Sequence, residues 1–226
     1  MKRMEISMFE RMQSLPLLQG LSLQDFNDLI INLKLDFQQW DEGDVIVSQG
    51  ERSSNLIYIM DGEFEVEIHD ENTALILTEV YDSETTPYLI EPYNLFSVKR
   101  TYERSYSFRT RGATFTISRD FFVQRMLHNN IVRSNFINYL CNNLRKSNSL
   151  RPAVPTNGVE AKMKAAIASF CLTTNGEKIV RVKMNDFATL IDETRLNVSN
   201  VLNRWNEQQL IELRRYGFTI KEFEEL

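Results

Sequence analysis

The spacing of apolar and polar positions divides the chain into three regions. Before about residue 37 the apolar residues are spaced as in short helices, and Ser22 forms a capping pair with Asp25 at the start of one of them. From residue 37 to residue 117, short apolar runs alternate with turns such as Asp61-Gly62, which is typical of the strands of a small barrel or roll. Helical spacing returns after Ser118, which we predict to cap a helix that ends at Leu127.

A long helix is predicted from Asn129 to Leu150. Two interpretations fit its apolar stripe: the helix packs on its own barrel, or it forms the seam of a two-helix coiled coil with a second copy of the chain. The following segment, Arg151–Gly158, contains two prolines and a glycine and cannot continue a helix, so we place a domain boundary there. The stripe consists of Ile131, Val132, Phe136, Ile137, Leu140, Cys141 and Leu144. Among these, Ile137, Leu140 and Leu144 follow the three- and four-residue steps that a two-helix seam needs.

The C-terminal region, from about Lys183 to Ile220, has the pattern of a winged helix-turn-helix. Asn185 and Thr194 are predicted N-caps of two short helices, Asp186–Ile191 and Arg195–Gln208, which are joined by about three residues. Two short strands after the second helix predict a hairpin wing. The second helix carries one apolar stripe, predicted to be buried, that consists of Val198, Val201, Leu202 and Trp205.

The opposite face of this second helix is polar and rich in amide groups, as a surface that reads the edges of DNA bases would be. Two arginines of the wing are placed to reach backbone phosphates. A winged helix can also serve for protein contacts alone, so an effector-binding or scaffold protein is the alternative function. The candidate DNA-binding residues are Thr194, Arg195, Leu196, Asn197, Ser199, Asn200, Asn203, Arg204, Arg214 and Arg215.

The distribution of charge supports a nucleic-acid partner for the C-terminal part. The net charge of the whole chain is −5, but residues 1–92 carry −14 and residues 93–221 carry +12. Because binding depends on the local field rather than on the net charge, the basic part is suited to duplex DNA.

The sequence lacks the residue patterns that metal binding or catalysis would require. The two cysteines, Cys141 and Cys171, and the two histidines, His69 and His128, have no metal-ligand spacing, so we expect no zinc site and no iron–sulfur cluster. Neither histidine has a motif that supports a haem, and the identity of any cofactor is open. The chain has no phosphate loop, nucleophile elbow or other catalytic pattern, and we predict that it is not an enzyme. With no signal-peptide pattern and no apolar run of membrane-spanning length, we expect a cytoplasmic protein without a membrane partner.

Four segments together resemble the family of the cyclic-AMP receptor protein and the fumarate–nitrate regulator (Crp/Fnr). The resemblance implies an α+β fold with a cyclic-nucleotide-binding-like β-roll at residues 1–127, a dimerisation helix at 128–151 and a winged helix-turn-helix at 152–226. It also implies a homodimer that controls transcription at near-palindromic operators, with RNA polymerase as a further partner. The segments are Leu17–Ser22, Glu42–Glu51, Leu56–Val66, and Asp186–Trp205 with the wing.

The family's base-reading positions fall on Arg195, Leu196 and Asn200 of this chain. Leu196 stands where the family usually has Glu, and Asn200 stands where it has Arg. A Glu accepts a hydrogen bond from cytosine, whereas a Leu can only contact an apolar group such as the thymine methyl. The operator should therefore differ from that of the best-known members.

The family's sensor domain binds a cyclic phosphate through a Gly-Glu pair and a later Arg-Ser pair. Arg104-Ser105 matches the second pair, but Pro92 stands where the Glu of the first pair belongs, and a proline has no backbone donor. We therefore expect that the effector, if the protein needs one, is a small molecule other than cyclic AMP, and its identity is open. The candidate pocket residues are Glu91, Arg104, Ser105, Ser147 and Asn148.

Overall fold

A computed structural model describes residues 12–31, 36–70, 72–83, 87–150 and 158–226. The predicted break at 151–157 lies outside these residues. The helices are α1 (Leu23–Ile31), α2 (Arg119–Gln124), α3 (Asn130–Leu150), α4 (Val159–Phe170), α5 (Met184–Leu190) and α6 (Arg195–Glu207). The strands are β1 (Asp36–Trp40), β2 (Val45–Val47), β3 (Asn55–Asp61), β4 (Glu63–Asp70), β5 (Leu75–Asp82), β6 (Tyr88–Leu89), β7 (Ser105–Phe108), β8 (Gly112–Ser118), β9 (Lys178–Arg181), β10 (Ile211–Arg214) and β11 (Gly217–Ile220).

The architecture is α+β, as predicted, with β-sheet in the N-terminal part, the long helix α3, and C-terminal helices followed by a β-hairpin. The chain divides into two compact units that combine segments distant in sequence. The first contains the described residues up to Phe64 together with Asp82–Glu103 and Ser107–Asn143. The second contains Glu65–Tyr81, Arg104–Tyr106 and the described residues from Leu144 onward.

The first unit contains a four-stranded sheet in the order β1-β8-β3-β6. Its strands β1 and β3 pair antiparallel with β8, and buried apolar side chains of β3, β8 and the surrounding helices form its core. The two predicted helix caps in this unit are confirmed. The hydroxyl of Ser118 accepts a hydrogen bond from the Phe121 amide at 3.3 Å, and Ser22 and Asp25 bond each other reciprocally at 2.6 and 3.1 Å.

The apolar stripe of α3 separates into two faces. Val132 and Phe136 are buried in the core of the first unit, as the first interpretation of the stripe predicts. Ile137 and Leu144, in contrast, leave 53% and 63% of their surface exposed. The helix begins at Asn130 because Asn129 is its cap, with a side-chain oxygen that accepts from the amides of residues 131 and 132 at 2.9 and 3.2 Å.

In the second unit the strands follow the order β10-β11-β9-β5-β4. Helices α4, α5 and α6 cover this sheet through a core that includes Phe187, Val198 and Trp205. None of the helices in the described ranges combines the length and the hydropathy that crossing a membrane requires.

Candidate nucleic-acid interface

Helices α5 and α6 form the predicted helix-turn-helix. The small side chain of Ala188 is buried, and its carbonyl accepts from the Glu193 amide at 3.0 Å in the connection between the helices. Thr194 caps α6, as predicted, because its hydroxyl accepts from the Asn197 amide at 3.2 Å. The predicted apolar stripe of α6 is buried, so the orientation of the helix about its own axis is fixed by the core.

The predicted N-cap at Asn185 is wrong. Helix α5 begins at Met184, and Lys183 is its N-cap residue without a side-chain capping bond. The Lys183 carbonyl accepts from the Phe187 amide at 3.0 Å, and Phe187 is buried in the core of the second unit. Burial of the first helical turn therefore sets the start of α5, and Asn185 lies inside the helix.

The face of α6 opposite the core presents the predicted reading residues to solvent. Leu196 leaves 69% of its surface exposed, although it is apolar. Ser199 is partly buried at the edge of this face. The exposed members of the face are Arg195, Leu196, Asn200 and Asn203.

Asn197 lies on the flank of α6 and contacts protein groups. Its side-chain amide donates to the Glu193 carboxylate at 3.1 Å, and Lys162 of α4 bonds the same carboxylate at 2.7 Å. The bonds from Lys162 and then Asn197 lower the pKa of Glu193. Asn197 therefore helps to connect α6 with α4, a role that its position in the sequence did not indicate.

Arg204 lies on the same flank, two turns further along α6. Its guanidinium forms an ion pair with Glu160 of α4, and the indole N–H of Trp205 donates to the same carboxylate at 3.3 Å. Lys164, also on α4, bonds Glu160 at 3.0 Å and is the largest cause of its lowered pKa. Neither Glu160 nor Glu193 was singled out in the sequence, because nothing local indicates that they receive side chains of α6.

The wing is a tight hairpin. Strands β10 and β11 pair from Ile211↔Ile220 to Arg214↔Gly217, which leaves Arg215 and Tyr216 as a two-residue loop. Both arginines of the wing are exposed. The Arg215 guanidinium lies 5.1 Å from the centre of the Tyr216 ring, and that ring leaves 64% of its surface exposed. The wing thus presents cations at its tip, as predicted.

The candidate effector residues are divided between the two units and differ in burial. In the first unit Glu91 is buried, and its carboxylate accepts from the side-chain amide of Asn94 at 2.6 Å and from the Glu103 amide at 2.7 Å. In the second unit the buried Arg104 donates to the Phe170 carbonyl at 3.4 Å. Three further candidates of this unit are Ser105, which is partly buried, and Ser147 and Asn148, which are exposed on α3. Across the described ranges, His, Cys, Asp and Glu side chains form no group of three that could hold a metal ion.

No protein-family model and no curated protein matches the sequence. Solved structures do match. A protein from Eubacterium rectale assigned to the Crp/Fnr family of transcriptional regulators is 14% identical, with 94% of this chain and 96% of that chain covered and a TM-score of 0.51. The sensor domain of the transcriptional regulator DNR from Pseudomonas aeruginosa is 18% identical over 65% of this chain and 99% of that chain, with a TM-score of 0.49.

The catabolite activator protein of Thermus thermophilus also matches, at 14% identity over 93% of this chain and 95% of that chain, with a TM-score of 0.47. The match to the Eubacterium rectale protein carries the assignment, because its TM-score exceeds 0.5 and it covers nearly the whole of both chains. The fold is therefore that of the Crp/Fnr-type regulator that it matches, as the resemblance in the sequence implied.

Proposed function

We propose that this protein is a sequence-specific, DNA-binding transcription regulator of the Crp/Fnr type. The observation that carries the proposal is the exposed face of α6, which combines a cation, amide groups and one apolar side chain on a helix held by its other face. A second helix and a wing with exposed arginines flank this surface, which is the arrangement that places a recognition helix in the major groove.

The chemistry of the exposed face suggests which bases it reads. A bidentate contact of Arg195 with a guanine contributes roughly 1–3 kcal/mol of discrimination against other bases. Asn200 carries the amide that pairs with an adenine edge, and Leu196 can pack against a thymine methyl group. Arg214 and Arg215 act on the phosphate backbone and give affinity without sequence preference.

The test is selection of bound sequences from random duplexes by the full chain, followed by titration of the selected duplex at several salt concentrations. We expect log Kd to rise steeply with log salt concentration, because phosphate contacts release counterions. Arg195→Ala should weaken binding to the selected duplex and relax the preference at one base pair. Arg111→Ala, which removes an exposed arginine from the first unit, is the matched control and should leave that preference unchanged.

Two results would change this assignment. A uniform loss of affinity on all duplexes for Arg195→Ala would make Arg195 a phosphate contact. An absence of salt-dependent binding to any duplex would favour the alternative function, an effector-binding or scaffold protein whose winged helix contacts proteins.

The proposal includes a homodimer formed through α3. Ile137, Cys141 and Leu144 are exposed on one side of this helix at three- and four-residue steps, which suits a two-helix seam. The two recognition helices of the dimer would then lie roughly 34 Å apart and read a near-palindromic operator. The expected compartment is the cytoplasm, and RNA polymerase is the expected further partner. Sedimentation should show a dimer that Ile137→Glu disrupts, whereas Asn138→Glu on the polar side of α3 should not; a monomer bound to DNA would refute the scheme.

The proposed regulator responds to a small effector that is not cyclic AMP. The Glu91 carboxylate already accepts from its own loop, through Asn94 and the Glu103 amide, so these donors are not open to a cyclic phosphate. Calorimetric titration with cyclic AMP and cyclic GMP should show no binding tighter than about 100 µM. Tighter binding would mean that the effector is a cyclic nucleotide.

A further inference from the structure

The sheet of the winged helix continues into a hairpin that comes from the first third of the sequence. Residues 65–70 of β4 and 75–81 of β5, here called the 65–81 hairpin, lie in the second compact unit. Strand β5 pairs antiparallel with β9 from Ile76↔Arg181 to Glu79↔Lys178. Strand β9 pairs on its other side with β11 of the wing. The hairpin and the wing are therefore parts of one continuous sheet.

The 65–81 hairpin also completes the core beneath the recognition helix. Leu75 and Leu77 are fully buried in the same cluster as Val198 and Trp205 of α6. A fully buried leucine is among the strongest contributors to the stability of a small core. Residues 158–226 alone would leave this part of the core exposed.

A buried ion pair holds the last paired position of β5 and β9. The Glu79 carboxylate lies 2.8 Å from the Lys178 ammonium, and the two side chains are 2% and 1% exposed. Glu79 also accepts from the Leu172 amide at 2.8 Å, and Lys178 donates to the Asn175 carbonyl at 2.6 Å. Both charges thus have a partner and a further hydrogen bond, and we expect the pair to favour this register of the hairpin over others.

We infer that the 65–81 hairpin is a permanent part of the DNA-reading unit, and that Glu79 and Lys178 are positioning residues for α6. The inference rests on the proposed function where DNA binding is concerned. Its consequence is a covalent link to the first unit at each end of the hairpin, because Phe64 precedes it and Asp82 follows it in that unit. The connection through α3 is then not the sole covalent route to the winged helix.

Hydrogen exchange of the full chain tests this without DNA. In Glu79→Gln the buried Lys178 loses its counter-charge, so we expect exchange to accelerate about 100-fold in β9 and in α6 as well as in β5. Strands β3 and β8 of the first unit should keep their protection. The matched control is Glu67→Gln, which removes the partly exposed ion pair between the hairpin and Arg181 and should change exchange in β9 less than about fivefold. Acceleration confined to the hairpin would overturn the inference.

A second variant adds a bond instead of removing one. Ile76 and Arg181 are directly paired, so Ile76→Cys/Arg181→Cys in a Cys141→Ser background should form a disulfide on oxidation. We expect the oxidised and reduced forms to bind the selected duplex equally, because the hairpin stays in place when DNA binds. Loss of binding on oxidation would mean that the hairpin must detach, and would overturn the inference. If no form of the protein binds DNA, the proposed function fails, and the exchange experiment still decides the role of the hairpin.

Discussion

Gly217, at the start of the returning strand of the wing, is the position where a single methyl group should do most damage. A Cβ atom on Gly217 would lie 1.9 Å from the carbonyl oxygen of Val180 and 2.9 Å from its carbonyl carbon. The first distance is more than 1 Å shorter than the 3.0 Å that Cβ atoms keep. Both atoms belong to the backbone of β9, so no side-chain rotation can relieve the contact.

Gly217→Ala should therefore separate β11 from β9 locally. The bonds at risk include the one that the Val182 amide donates to the Tyr216 carbonyl at 3.0 Å. Strain in an unfavourable backbone conformation costs about 1–3 kcal/mol, and the weakened strand pairing adds to it. We expect a loss of about 2–4 kcal/mol in the free energy of unfolding of the second unit.

The measurement is chemical unfolding of the full chain, with hydrogen exchange of peptides from β9 and β11 to assign the transition to the second unit. The control is Gly176→Ala. Gly176 also has a positive φ, of 76°, but a Cβ there meets nothing within 4 Å, so the cost should be about 1–2 kcal/mol from the backbone alone. Equal losses for the two variants would refute the reasoning, because they would show that the strand spacing in the wing adjusts without cost.

Three further predictions concern the reactivity of the two thiols, the loss of stability at acid pH, and the contribution of the helix caps to stability. In the Ile137→Glu variant, in which the proposed dimer seam is open, iodoacetamide at pH 8 should label Cys141, which is exposed on the single chain, and spare Cys171, because burial raises the pKa of that thiol to about 12. Adding Cys141→Ser should then abolish labelling, and mass spectrometry of the labelled peptides decides. The bond from Lys164 lowers the pKa of Glu160, so its contribution to stability is present above pH 4.5 and lost as the pH falls below it. Glu160→Gln should therefore reduce the loss of thermal stability between pH 5 and pH 3, and an unchanged acid profile would contradict this. Thr194→Ala should destabilise the second unit by about 1 kcal/mol, because the cap of α6 is lost. Asn185→Ala, inside α5, should destabilise it by less than half of that. The reverse order of the two losses in chemical unfolding would mean that Asn185, and not Thr194, is a capping residue.

Much of the winged helix could be predicted because its signals are local. The cap at Thr194, the buried stripe of α6 and the hairpin of the wing each depend on residues within a few positions of one another. The same holds for Ser118 at the start of α2. Helical and strand periodicities are properties of neighbouring residues, so a sequence displays them directly.

The sequence by itself determined the order of the elements, the class of fold and the exposed face of α6. The tertiary structure decided what depends on partners far along the chain: that Arg204 pairs with Glu160 on the flank of α6, and that Glu79 and Lys178, 99 positions apart, meet in a buried pair. It also decided that the apolar residues of α3 divide between a buried and an exposed face. Strand pairing and buried ion pairs depend on which distant segments pack together and exclude water. The spacing of neighbouring residues in the sequence carries no information about that packing.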